Sequence, residues 1–266
     1  MKIRYLGTAA AEGVPAVFCQ CHICKMARRL GGKNVRMRSG ALIDGRLKLD
    51  FGPDSYAQML RFGESYEDVE HVLITHSHED HFLPTDLNYI HPPFGHREKA
   101  LNIWGDEKVG GMLEPYVGTD GMLVFHRMLP GDEADVGGYH VTALRAVHAH
   151  GEVPLFYRVE KDGKALIYAH DTDEFPEDVM EYLKGKRHDL ISLDCTNGVL
   201  QLDYVGHMGI GDNIRMREKL MDIGAADEKT VFVCNHFSHN GMAEYGEMEK
   251  LAKGFVIAYD GMEMEI

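Results

Sequence analysis

The sequence predicts a mixed α/β chain with two sheets and helices outside them, and three observations lead there. Short apolar runs with strand spacing recur along the length, early ones are joined as a hairpin, and helical patterns alternate with the later ones. The 266 residues suit one large domain or two small ones. No Pro/Gly/Ser linker, low-complexity segment or repeat divides them, so a single domain over 1–266 is expected.

The first strand-like run is 2–6. Runs at 39–43 and 47–51 follow, joined by the turn Asp44-Gly45-Arg46 as a hairpin. Next come 69–75, 101–104, 141–147, 155–160 and 165–168, the last two flanking the turn Lys161-Asp162-Gly163-Lys164. The series closes with 190–194, 231–235 and 255–259. A helix over 178–184 is opened by Pro176 and Glu177 and closed by Gly185. Two more, over 211–223 and 243–253, end at Gly224 and Gly254.

Composition excludes several functions. Apolar residues at 44% and charged residues at 26% are ordinary globular values. No apolar run approaches the roughly 18 residues of a membrane-spanning helix. The chain enters its first strand without a longer apolar leader, so a cytoplasmic location and no membrane partner are expected. A formal charge of −14 argues against general nucleic-acid binding, although divalent ions would reverse the sign inside their own pocket. The five cysteines are Cys19, Cys21, Cys24, Cys195 and Cys234. An odd count with three in six residues points to metal binding in a reducing compartment, not to a disulfide framework.

The decisive stretch is VLITHSHEDHF, residues 72–82, where His76, His78, Asp80 and His81 follow the apolar run Val72-Leu73-Ile74. Strand or turn spacing can direct His76 and His78 to one metal while Asp80 and His81 turn toward a second. Imidazole and carboxylate together form a ligand set for zinc, manganese or iron. Three later segments enlarge the set: His148 in VTALRAVHA, Asp171 in ALIYAHDT and His236 in VFVCNHFSH. His71, His91, His96, His126, His140 and His188 are read as core or capping residues.

H-x-H-x-D-H followed by His, Asp and His on successive strand ends resembles the metallo-β-lactamase-fold hydrolases, across nearly the whole chain and in order. That resemblance implies a four-layer αββα sandwich with a binuclear centre between two sheets. It assigns His76, His78 and His148 to one ion, Asp80, His81 and His236 to the other, and Asp171 as the bridge. Asp80 is also expected, with His207, to act in catalysis. Asp50, in LKLDFG, matches an early strand-end aspartate and is expected to orient a ligand histidine. The pattern favours His148 over His150 and Asp171 over His170, leaving His150 and His170 as neighbours.

FCQCHIC sets Cys19-x-Cys21-x-x-Cys24 on a hydrophilic loop after the first strand. Thiolates prefer a closed tetrahedral zinc, which needs a fourth ligand. His22 is poorly placed to close it, and His239 in NHFSHN is the better candidate. Together, LGTAAAEGVPAVFCQCHIC, LDCTNG…GHMGIGDN and NHFSHNG look like the phosphoribosyl cyclic phosphodiesterase (PhnP) subfamily. This narrower resemblance implies a structural zinc on Cys19, Cys21, Cys24 and His239, a non-ligand active-site histidine at His207, and a homodimer. Segment 88–98, NYIHPPFGHRE, follows no subfamily motif but is expected to help line the pocket.

The expected activity is hydrolysis of a small, cyclic phosphodiester by two divalent ions, with His207 stabilising phosphate or supplying the leaving group's proton. Three other readings stand beside it. A tRNase Z-like ribonuclease is disfavoured by the acidic charge and the lack of a basic docking insertion. An ester, lactone or thioester hydrolase is open to the same metal core. A non-hydrolytic PqqB-like metal-binding protein would have an altered active-site ligand set, whereas this one is intact.

Overall fold

In the computed structural model the described residues are 1–149, 151–202 and 205–266. His150, the alternative to His148, lies outside them. The chain runs β1 (Lys2–Gly7), α1 (His22–Leu30), β2 (Gly40–Ile43), β3 (Leu47–Leu49), α2 (Ser55–Phe62), β4 (His71–Leu73) and β5 (Leu101–Gly105). It continues through α3 (Glu107–Leu113), β6 (Leu123–Arg127), β7 (Glu133–Val136), β8 (Tyr139–Arg145), β9 (Leu155–Lys161), β10 (Lys164–Ala169) and α4 (Glu177–Leu183). Last come β11 (Leu190–Asp194), α5 (Ile210–Asp222), β12 (Val231–Asn235), α6 (Tyr245–Leu251), β13 (Val256–Ile257) and β14 (Glu263–Glu265).

These strands make two sheets, ordered β14-β1-β2-β3-β4-β5-β6 and β13-β12-β11-β10-β9-β8-β7. Period-two alternation explains how they stack. In β10, Leu166 and Tyr168 enter the core between the sheets while Ile167 and Ala169 face a second core. That second core holds Val179 and Leu183 of α4 and Met216 and Leu220 of α5. On the other sheet, Ile3 and Tyr5 of β1 point to the shared core, and Leu6 joins Val109 and Leu113 of α3 outside. Each sheet is thus covered by its partner on one face and by helices on the other, which is the expected αββα layering.

Both sheets mix pairing directions, and the parallel parts position the functional residues. β3 pairs parallel to β4 with Leu49 beside Leu73, so Asp50 and the stretch after Ile74 leave the sheet together. β10, β11 and β12 are parallel, with Ala169 beside Leu193 and Asp194 beside Asn235. Their C-terminal ends therefore bring Asp171, Asp194 and His236 to one edge.

Several expectations need correction. Cys24 lies in helix α1, not in a hydrophilic loop: Cys21 caps the helix by accepting from the Cys24 amide, and Ile23, Cys24 and Ala27 form its buried face. Sequence reading also missed α2, α3, β6, β7 and β14. β14 reads Glu-Met-Glu and joins β1 through its backbone, so it carries little apolar signal. The run expected over 255–259 shortens to the two-residue β13.

Candidate metal centre

His76, His78 and His148 offer ring nitrogens within 4.8 Å of one another, and Asp80, His81, Asp171 and His236 form a second group meeting the same limit. In the first group His78 Nδ1 lies 3.2 Å from His148 Nε2. In the second, His81 Nε2 is 2.6 Å from Asp171 Oδ2, 3.2 Å from Asp80 Oδ2 and 3.2 Å from His236 Nε2. Asp171 reaches both, since its Oδ2 is also 3.4 Å from His76 Nε2 and its Oδ1 is 3.3 Å from His236 Nδ1.

The backbone is bent to deliver these groups. Asp50, Asp171 and His236 each follow a strand end with positive φ, at 58°, 50° and 60°. Asp and His tolerate that region better than most residues, yet it still costs about 1 kcal/mol or more. Gly52 is a steric requirement: a Cβ there would meet the Asp80 carbonyl oxygen at 2.0 Å.

A layer of partners fixes the rings. Asp50 Oδ2 accepts from His81 Nδ1 at 2.7 Å, so the aspartate orients a ring of the second group. Asp50 Oδ1 accepts from the Thr75 amide and hydroxyl, and that hydroxyl stands 3.1 Å from His76 Nδ1. The Gly206 carbonyl faces His148 Nδ1 at 3.2 Å. Glu152 accepts the Ser77 amide at 2.8 Å, pinning the backbone between His76 and His78.

Charge and burial prepare the site for cations. His76 is held well below its ordinary pKa, mainly by burial and then by neighbouring imidazoles, and is therefore neutral, as a ligand must be. Burial works against charge on Asp171 as well, but the His236 and His81 imidazoles keep its pKa well below the usual range. Burial alone would lower His236, whereas Asp171, Asp194 and Asp80 lift it to about 10. Among the described residues, His76 Nε2 and Asp171 Oδ1 are buried without a hydrogen-bond partner. Orphaned acceptors facing clustered carboxylates and imidazoles fit divalent cations, and these seven residues could hold two.

Asp194 went unrecognised in the sequence, where it reads only as the last residue of an apolar strand. It is fully buried and accepts from the amides of Asp171, Thr196 and Met208, from the Thr196 hydroxyl, and from His207 Nδ1 at 3.1 Å. Asp171, Asp194, His207 and His236 also lie within 4.8 Å of one another. The donors crowding Asp194 make it a scaffold for His207 and His236. Burial disfavours a charged His207, but Asp194 and Asp171 outweigh it and raise the pKa.

The remaining candidates separate cleanly. Cys19, Cys21, Cys24 and His239 bring their donor atoms within 4.8 Å of one another, with His239 Nδ1 3.8 Å from Cys19 Sγ and 3.4 Å from Cys21 Sγ. Three sulfurs around one imidazole suit zinc. His170 is buried against Tyr168, with Nε2 2.9 Å from Ser192 Oγ, and belongs to neither ligand group. A cleft of about 320 Å³ opens over the centre, lined by His78, Asp80, His148, Asp171, His207 and His236 together with Glu12, Ser238 and Asn240. Segment 88–98 contributes none of its described lining residues, contrary to expectation, and Tyr89 and Phe94 there stand exposed. Among the described residues no helix is long and apolar enough to cross a membrane.

A family model described as a beta-lactamase superfamily domain matches residues 46–237. An octanoyltransferase of Porphyromonas gingivalis is 25% identical over 279 residues, covering 99% of this chain and 51% of that protein. The chain spans about half the length of the curated relatives it matches, 51% and 41%. A diphosphatase from the PhnP family superposes with a TM-score of 0.78 at 23% identity, covering 100% of this chain and 97% of the other. Zinc-bound PqqB from Methylobacterium extorquens gives 0.77 at 19% identity over 100% of both. At these identities the two structures establish likeness of fold.

Proposed function

The chain belongs to the beta-lactamase superfamily, and from that premise we propose that it is a binuclear metal-dependent phosphodiesterase acting on small, cyclic diesters. The carrying observation is the convergence of seven ligand-type residues and the Asp194–His207 pair at the floor of one cleft, which His78, Asp80, His148, Asp171, His207 and His236 line directly. His76, His78 and His148 would hold one ion, Asp80, His81 and His236 the other, and Asp171 both; Cys19, Cys21, Cys24 and His239 would hold a structural zinc. Ions of zinc, manganese or iron would act there as Lewis acids on a phosphoryl oxygen and on the attacking water.

The chain's own residues supply orientation and proton transfer. Asp194 fixes His207 with Nδ1 as donor, so Nε2 is the nitrogen that would pass a proton to the leaving alkoxide. Asp80 is buried beside His81 and His236, where its carboxylate would share their ion and offset part of that ion's charge. A diester leaves two non-bridging oxygens, one for each side of this cleft. A dianionic monoester would bring a third that goes unpaired.

Similarity along its length to an octanoyltransferase supports a second reading, hydrolysis of an ester or thioester. The deciding experiment gives manganese- or zinc-loaded protein bis(p-nitrophenyl) phosphate, p-nitrophenyl phosphate, ribosyl cyclic phosphates, a lactone and an octanoyl thioester. Diesters turning over fastest supports the proposal, whereas faster turnover of the lactone or thioester replaces it with the second reading.

A further inference from the structure

Four of the five candidate ligand rings have an oxygen on their second ring nitrogen. Thr75 Oγ1 lies 3.1 Å from His76 Nδ1 and Asp50 Oδ2 2.7 Å from His81 Nδ1. The Gly206 carbonyl is 3.2 Å from His148 Nδ1, and Thr196 Oγ1 is 2.8 Å from His236 Nδ1. His78 is the exception among the described residues. Its side chain is 46% exposed, and its Nδ1 faces the first group, 3.2 Å from His148 Nε2. That leaves Nε2 turned toward one acidic group, Glu152, whose Oε1 stands 4.0 Å away.

Glu152 is built into its place. Its side chain has no exposure, Oε2 accepts the Ser77 amide at 2.8 Å, and Lys108 Nζ lies 3.3 Å from Oε1. The backbone beside it is fastened too. The Val153 amide donates to the buried Asp106 that caps α3, at 3.1 Å, and the Leu155 amide donates to the Thr75 carbonyl at 2.8 Å. Residues 152–155 are thus fixed to the strand end that carries His76 and His78. The Ser77 amide occupies only one carboxylate oxygen, and the other is left facing the His78 ring.

We infer that Glu152 is the positioning residue for His78 and sets the affinity of the ion that His76, His78 and His148 would share. A neutral ring that gives Nδ1 to an ion carries its proton on Nε2, the nitrogen facing Oε1. At 4.0 Å the carboxylate acts on that N–H through charge, not through a formed hydrogen bond. It holds Nδ1 aimed inward and makes it the more basic donor. The inference rests on the metal reading of the centre and is independent of which ester is hydrolysed.

The test is calorimetric titration of the full chain with manganese, after a weak chelator has removed loosely held metal. Glu152→Gln keeps an oxygen for the Ser77 amide but loses the charge. It is expected to weaken one of two manganese steps by about tenfold and to leave the other, and the melting temperature of the metal-stripped protein, unchanged. His78→Asn keeps an oxygen where Nδ1 stands and removes Nε2, so adding Glu152→Gln to it should cost little more. Two manganese steps that Glu152→Gln leaves unaltered overturn the inference while the metal reading stands. A loss of equal size in the His78→Asn background, or one accompanied by a lower melting temperature of the metal-stripped protein, also overturns it. A parent that takes up no manganese overturns the metal reading and the inference together.

Discussion

Asp194 accepts the Nδ1–H of His207 at 3.1 Å, a fully buried carboxylate holding a ring that lines the cleft. The two are expected to act as a unit, because the aspartate fixes the orientation of the ring over the cleft.

Asp194→Asn is therefore expected to lower kcat on diesters by about 10²-fold with little change in KM. His207→Ala should lose at least as much, and the double variant little more, since removing either member disables the pair. Steady-state kinetics with metal analysis on all three proteins checks this. Losses that add in the double variant, or loss of metal in His207→Ala, would show that the residues act separately or that His207 is a ligand.

The visibility of these two residues in the sequence was uneven. His207 stood out through its motif, but Asp194 ended an apolar strand and its partner lay 13 residues away. Only the parallel register of β11 with β10 and β12 brings it under Asp171 and His236. The ligand residues were legible because several donors fall within one short loop or directly follow apolar strands. Glu152 was not, since it is a single carboxylate whose meaning depends on Ser77 and His78, more than 70 positions away. Two sheets with outer helices followed from the early hairpin and the later strand–helix alternation, and the four-layer order from the family resemblance, whereas α1 was hidden inside a cysteine motif that reads as a loop.

Asp171→Ala should reduce single-turnover rate more than any single histidine change, because Asp171 lies against both ligand groups. Rates at saturating metal give the test. Activity within about tenfold of the parent, or roughly 1.4 kcal/mol in barrier, would mean that another residue joins the two groups.

Cys24→Ala and His239→Ala are expected to lose one zinc per chain and to melt at lower temperature. Bound structural zinc contributes folding free energy, here about a few kcal/mol because the domain has its own core. Thermal melts paired with elemental analysis decide it. Unchanged zinc and melting temperature in both variants would remove the structural site from the account.

Lys48 gives a pH-dependent prediction away from the metals. Its side chain is buried and its Nζ has no hydrogen-bond partner among the described residues. Burial lowers its pKa from the ordinary 10.5 to about 8, with Asp50 partly opposing the shift. The unfolded chain thus holds more protons than the folded one between about 8 and 10.5, so this group makes stability rise with pH across that window. At neutral pH the buried charge costs about 3 kcal/mol. Lys48→Met should melt higher at pH 7 and lack this rise, as urea titrations at several pH values would reveal. Parallel stability curves for parent and variant would contradict the assignment.

Seven residues on converging strand ends would hold two ions, while three cysteines and a histidine would hold a third. Elemental analysis of the purified chain, after metal loading and removal of excess, tests this most directly. The expected result is close to three divalent ions per chain, falling to about one in Asp171→Ala as the cysteine-bound zinc remains. A parent that binds a single ion per chain, unchanged by Asp171→Ala, would contradict a binuclear centre and with it the proposed hydrolysis.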